Sequence, residues 1–378
     1  MRIPFNSPHV GDKEHEYVAD CLASDRLAGD GLFSERCTAL LRQELGVPSV
    51  LLTPSCTHAL EMAAMLLDVG PGDDVIVPSY TFVSTVNAFV LRGAQPVFAD
   101  IRSDTLNLDE RSLEPLITTR TKAIVPVHYG GVGCEMDAIL AIAQRHGVTV
   151  VEDNAHGLFG QYRGKYLGTF GKLAAQSFHE TKNFTCGEGG ALLINDVGLL
   201  ERAEVIREKG TDRSKFFRGQ VDKYTWVDTG SSYLLSDILA AVLLAQLEAR
   251  EDIQARRGEI WERYRCGLSD WAASRDVHLP TVPDHCAQAF HMFYMILPSL
   301  DARQSLIGFL RKRSILSVFH YMPLHLSPMG YRLGGRVGDC PVAEDMSDRL
   351  VRLPFYTGLT EGDQNRVIAA VLDWPAHK

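Results

Sequence analysis

One lysine, two adjacent carboxylates and a run of small hydroxyl residues are the groups in this chain whose types and spacing suit chemistry. Lys182 stands in "SFHETKNFTCGEGG", five residues after Ser177 and just before a glycine-rich run. A lysine held near apolar walls and other cations loses part of its affinity for a proton, and its amine becomes a usable nucleophile. Glu152 and Asp153 end the apolar run "VTVVED". A carboxylate at a buried strand end is costly unless a cation or several donors meet it. "TPSCTHAL", Thr53 to Leu60, leaves an apolar run through small hydroxyl residues that open a helix. Unpaired N–H groups at such a start suit a phosphate. Each group also has an ordinary explanation: a surface lysine, a carboxylate capping the next turn, and an N-cap at Ser55 or Thr57.

The surrounding pattern predicts the elements that carry these groups. From about residue 49 short β-branched runs ("SVLLT", "DVIVP", "QPVFAD", "KAIVPV", "VTVVED") alternate with helical stretches such as "CTHALEMAAMLLDV" and "EMDAILAIAQRHG". Strands and helices at this rhythm predict an α/β fold with a mainly parallel central sheet flanked by helices. "LLSDILAAVLLAQLEAREDIQARRGEIWERYRCGL" reads helical for longer than a typical globular helix, and its apolar half gives way to a charged half. A boundary there divides the chain into a large α/β domain, residues 1–250, and a smaller C-terminal α+β domain, residues 251–378, with strands expected in "FHMFYMIL" and "ILSVFHY".

In open α/β sheets ligands gather at the carboxyl ends of the strands, where all three groups fall. A phosphate cradle, a carboxylate for a protonated ring nitrogen and a lysine for an aldehyde are together the fittings for pyridoxal 5′-phosphate (PLP). Asp153 is the expected partner of the ring nitrogen, and Lys182 the group that binds the aldehyde and carries the proton.

Composition narrows the remaining choices. The formal charge of −9 over 378 residues, with no basic tract to offset it, disfavours nucleic acid as a partner. The N-terminal "MRIPFNSPHVGDKEHEYV" lacks the apolar core of a signal peptide, and no segment approaches a membrane-spanning length, so a cytoplasmic protein is expected. Eight scattered cysteines, with no Cys-x-x-Cys pair, read as reduced thiols, and no metal site is expected.

The ordered motifs "SCTHAL", "PSYTFVSTVNAF", "VVEDNAHG", "SFHETKNFTCGEGG", "YLLSDILAAVLLAQL" and "FHYMPLH" resemble those of the DegT/DnrJ/EryC1/StrS nucleotide-sugar aminotransferases, fold type I PLP enzymes. The resemblance spans essentially the whole chain. It implies that Lys182 is the catalytic lysine and Asp153 the ring-nitrogen partner. Ser177 and Thr57 match phosphate-binding positions, aided by backbone around Cys56 and His58, and Phe82 matches an aromatic that stacks on the ring. His156 stands where the family usually has glutamine near the ring hydroxyl. Ser232 and Leu234 replace an asparagine and an arginine; in the family that asparagine reaches the cofactor phosphate of a second subunit.

Within the family, "LLTPSCTHALEMAAMLLD", "REKGTDRSKFFRGQVDKYTW" and "GSSYLLSD" are most similar to the 4-aminating subgroup that makes dTDP-4-amino-4,6-dideoxygalactose. The resemblance implies a nucleotide-sugar substrate, L-glutamate as donor and a homodimer with shared sites. The densest basic segment, Arg207 to Lys223 with Lys209, Arg213 and Lys215, suits the two phosphates of such a substrate or is a solvated loop; the resemblance brings the "FHYMPLH" residues His320, Tyr321 and His325 near the site, where each is a substrate contact or an ordinary interface or core residue. Members that deoxygenate sugars carry histidine in place of the lysine, so Lys182 disfavours dehydration. A 3-aminating enzyme, a UDP- or GDP-sugar enzyme, and a PLP-binding protein without turnover are the alternatives.

Overall fold

The computed structural model describes residues 2–375. Seven strands form the central sheet: β1 (Ser49–Thr53), β2 (Asp74–Pro78), β3 (Gln95–Ala99), β4 (Thr121–Ile124), β5 (Thr149–Asp153), β6 (Leu173–Ser177) and β7 (Gly190–Ile194). Their spatial order is β1-β7-β6-β5-β4-β2-β3. β3, β2, β4, β5 and β6 run parallel, and β7 is antiparallel to its neighbours β6 and β1. The sheet is therefore mainly parallel, as the alternating pattern predicts.

Both faces are covered because side chains alternate across each strand. Leu51, Leu192 and Ile194 face a cluster with Leu60, Ala63, Phe89 and Ile206. Val50, Leu52, Ala191 and Leu193 face the opposite cluster with Phe33, Leu41, Leu243 and Leu244. Six of the eight cysteines are buried, and all eight are unpaired.

The C-terminal region differs in detail from the expectation. The long helical stretch is two helices, Asp237–Glu248 and Arg250–Ala273, joined at Ala249. Its charged half contributes Ile260, Trp261, Tyr264 and Leu268 to a separate C-terminal core, and Ile3 packs in the same core. The N-terminal residues thus return to the C-terminal unit, through a parallel bridge between Ile3 and Ile315. "FHMFYMIL" supplies the strand Tyr294–Ile296, paired with Leu350–Arg352, whereas "ILSVFHY" forms only isolated bridges at Ile315 and Val318. Among the described residues no helix is long and apolar enough to cross a membrane.

Candidate active site

The strand register brings the separate motifs to one edge of the sheet. Thr53 and Ser177 both lie opposite Gly190, and Asp153 lies opposite Ala175. A cavity of about 560 Å³ opens there, lined by Cys56, Thr57, Phe82, Asp153, Ser177 and Lys182 among others.

The helix Cys56–Leu66 starts at the carboxyl end of β1. Ser55 caps it, its Oγ accepting from the His58 N–H at 3.2 Å. The ordinary cap reading is therefore correct for Ser55. It leaves a different role for the next residues, since first-turn N–H groups have no carbonyl one turn back, and both Cys56 and Thr57 line the cavity. The Thr57 hydroxyl donates to Ser84 Oγ at 2.8 Å. His58 turns its ring toward Tyr233, with centroids 5.2 Å apart, so any part it plays at the cavity is through backbone.

Glycine explains how close this helix comes to β7. A Cβ on Gly190 would lie 2.3 Å from the Ser55 carbonyl carbon and 2.4 Å from the Cys56 nitrogen, both backbone atoms. Gly187, with φ of 85°, makes the turn that precedes it. Gly190→Ala is expected to cost about 1–3 kcal/mol through forced backbone shifts and to weaken cofactor binding, measurable by thermal unfolding and PLP titration. Unchanged values in both would show that the contact is not needed.

Strand alternation separates the two carboxylates. Glu152 is fully buried, bonded by the N–H groups of Gly168, Phe170 and Gly171 at 2.7–2.8 Å and by His128 Nε2 at 2.9 Å. It is a structural residue. Asp153 lines the cavity, accepting from the Thr85 hydroxyl at 2.7 Å and the Ala155 N–H at 3.1 Å. Thr85 is held in turn against Thr81 at 2.8 Å. Burial raises the Asp153 carboxyl above its ordinary value, opposed by the Thr85 bond. A buried carboxylate so placed is suited to a cationic ring N–H.

Lys182 is half-buried and faces the same cavity. Burial lowers its amine from the ordinary value to about 8, against the opposing pull of Cys56 and Asp153. Phe82, which the resemblance matches to an aromatic that stacks on the ring, is 56% exposed and forms part of the wall. His156 stacks on His291 with centroids 4.2 Å apart and planes at 17°. Burial holds both imidazoles well below their ordinary proton affinity, so they are neutral. His156 Nδ1 is buried without a partner among the described residues, an atom suited to a ligand hydroxyl. The unpaired helix start, the buried Asp153, the low-pKa amine and this unpartnered nitrogen together fit PLP.

Other expected contacts lie elsewhere. His325 is fully buried outside the cavity lining, joining Ser79 Oγ at 2.5 Å to Glu344 at 3.0 Å, and so ties β2 to the C-terminal unit instead of facing substrate. Lys209 and Arg213 both pair with Glu208, and Lys215 with Glu201, on the surface of their own chain. Ser232 is exposed, bridged to Glu208, and does not line this chain's cavity. Tyr321 and His320 do line it, His320 Nδ1 bonding the Tyr129 hydroxyl at 2.9 Å. Sequence reasoning missed Thr85, His291 and Arg352. Thr85 lies in the motif that also carries Phe82, but its bond to Asp153 joins residues far apart in sequence; the other two come from distant segments without a local signal.

The geometry agrees with comparisons to known proteins. Residues 8–372 match the DegT/DnrJ/EryC1/StrS aminotransferase family. The spore coat polysaccharide biosynthesis protein SpsC of Bacillus subtilis is 35% identical over 98% of this chain and 96% of its own. The putative sugar aminotransferase Spr1654 of Streptococcus pneumoniae superposes with a TM-score of 0.91 at 28% identity, over 98% of this chain and 96% of its own. DesV of S. venezuelae gives 0.90 at 31% identity, over 100% and 99%. The chain belongs to the DegT/DnrJ/EryC1/StrS aminotransferase family and is a PLP-dependent enzyme.

Proposed function

We propose that this enzyme transfers the amino group of L-glutamate to C4 of a dTDP-4-keto-6-deoxyhexose, giving dTDP-4-amino-4,6-dideoxygalactose. The observation that carries the reaction is the convergence of Lys182 and Asp153 on one cavity. Sugar as the acceptor is supported by relatives named for polysaccharide biosynthesis and sugar amination. The 4-keto, dTDP-linked choice rests on the motifs "REKGTDRSKFFRGQVDKYTW" and "GSSYLLSD".

When bound, PLP supplies an aldehyde and a ring that accepts negative charge from the adjacent carbon. Asp153 keeps the ring nitrogen protonated, held in place by Thr85 and Ala155. The Cys56–Thr57 helix start and Ser177, which line the cavity, would hold the phosphate. Lys182, with an amine near half-neutral at about pH 8, would serve as the base that takes the proton from Cα of the donor. In the second half the same amine delivers a proton to C4 of the sugar. Phe82 and Tyr321 form part of the cavity wall.

Assays of the purified holoenzyme with glutamate and either dTDP-4-keto or dTDP-3-keto sugars test the assignment. Turnover of the 4-keto sugar is expected; turnover of the 3-keto sugar alone would refute it. A pH test addresses Lys182 directly. Covalent capture of PLP by the apo protein should accelerate as pH rises and level off above about 8, because only the neutral amine attacks. A rate independent of pH through that range would contradict the role.

We further read the enzyme as a homodimer. Ser232 and the basic segment stay outside their own cavity, while Phe217, Tyr224, Trp226 (78% exposed) and Val227 project from the same region. An apolar, aromatic surface of this kind suits contact with a second copy. Trp226→Asp is expected to weaken self-association roughly thirtyfold or more, seen by light scattering as monomer. A dimer as tight as the wild type would count against this surface.

A further inference from the structure

His156 and His291 pack face to face on the wall of the cavity, and the two rings are held very differently. Asn183, the residue after Lys182, is buried and donates from its amide nitrogen to the Ala289 carbonyl at 2.5 Å. A carbonyl only accepts, so the amide oxygen is the atom that meets His291 Nδ1, at 2.9 Å. His291 Nδ1 therefore carries the hydrogen of this neutral imidazole. The backbone adds a second hold: buried Arg257 donates to the carbonyls of Phe290 and His291 at 2.9 and 2.8 Å. His291 is thus fixed at both its ring and its main chain.

His156 has no comparable anchor. Its Nδ1 is buried without a partner among the described residues, and the torsion that turns a histidine ring is broad and roughly two-fold. Ring contacts are what confine it. The His291 face lies at 4.2 Å with planes at 17°, His320 at 6.2 Å with planes at 30°, and the Tyr129 edge at 5.9 Å with planes at 68°. The His291 contact is the closest of these and the most nearly parallel, and stacking of that kind sets the plane of a ring. Burial keeps both imidazoles neutral, so no charge repulsion opposes the stack. Lys182, Arg352, Arg257, His320 and Tyr129 are the other titratable groups beside the pair.

We propose that His291 is a positioning residue: clamped by Asn183, it holds the His156 ring in the plane that offers its unpartnered nitrogen to the cofactor's ring hydroxyl. The clamp also joins the C-terminal unit, which carries His291, to the segment that carries Lys182. The proposal rests on the reading of His156 as the partner of that hydroxyl.

Holoenzymes of the wild type, His156→Phe, His291→Ala and the double variant test it without any sugar. PLP dissociation is one measurement; the other is the pH midpoint at which the visible absorption of bound PLP changes. His156→Phe is expected to weaken PLP roughly threefold to tenfold, the loss of one buried hydrogen bond, and to move the midpoint by about 0.5–1 pH unit. His291→Ala should move the midpoint in the same direction. The double variant should move it no further than His156→Phe, because the effect of His291 runs through His156. A midpoint in His291→Ala equal to that of the wild type would overturn the proposal, as would additive shifts in the double variant. If His156→Phe leaves the midpoint unmoved, the reading of His156 falls and the proposal with it, while the role of Lys182 stands. A further measurement needs no variant that could misfold. Heteronuclear NMR of isotope-labelled apo wild type should show His291 neutral with its hydrogen on Nδ1; a hydrogen on Nε2 instead would mean that Asn183 does not clamp the ring and would overturn the proposal.

Discussion

Lys182→Ala is expected to lower turnover by roughly a thousandfold or more, measured as product formed from glutamate and the keto sugar. Two functions leave together. The amine that captures the cofactor aldehyde is gone, and so is the base that moves the proton, a role that alone contributes about a hundredfold to ten-thousandfold. The variant also has a built-in control for folding. Burial lowers the Lys182 amine to about 8, below its unfolded value, so the folded state disfavours the protonated form. That penalty is fully present below the folded value and fades as pH rises toward the unfolded one. Alanine removes it, and because the side chain lines an existing cavity, truncation opens no new closed void. The apo variant should therefore melt no lower than the wild type at neutral pH. Full turnover in Lys182→Ala would remove the central residue of the site. A large fall in melting temperature would show that the lysine is structural.

How much of this was legible in the sequence depends on whether a signal is local. The sheet was readable because each strand is a short apolar run between helical patterns, and burial on both faces enforces that composition. The lysine, the carboxylate and the hydroxyl run were readable because a mainly parallel sheet sends its strand ends to one edge. The reversed direction of β7 was not readable, since its residues Gly190–Ile194 are as apolar as those of any buried strand. Glu152 and Asp153 were not distinguishable by type. Only the pleat decides that one meets the N–H groups of Gly168, Phe170 and Gly171 while the other meets the cavity. His325 misled for a related reason: a histidine beside His320 and Tyr321 in sequence is turned the other way by the short helical turn Leu324–Leu326. Arg352 and His291 enter through the C-terminal unit, by tertiary packing that no local pattern encodes.

Asp153→Asn is expected to separate stability from activity. In the apo protein the carboxylate is buried with two donors, the Thr85 hydroxyl and the Ala155 N–H, and no ion pair among the described residues. Its carboxyl therefore sits above the ordinary value, burial being the largest cause. A carboxyl whose folded pKa is raised stabilises the folded state least once ionised, so apo stability falls as pH rises from the unfolded value through the folded one, and the loss persists at neutral pH. Asparagine carries no charge and can still accept from Thr85, so the apo variant should melt higher than the wild type at neutral pH and lack that slope. The holoenzyme should show the reverse. Without the carboxylate the ring nitrogen is no longer held protonated, and the loss of one partner from a buried charge pair, about 3–5 kcal/mol, corresponds to a fall in turnover on the order of a hundredfold to several thousandfold. Melting curves of apo and PLP-loaded protein across pH, with turnover on the same samples, measure both halves. If Asp153→Asn gains as much stability from PLP as the wild type and keeps its rate, the buried carboxylate is not the ring's partner, and its exposure to the cavity needs another explanation.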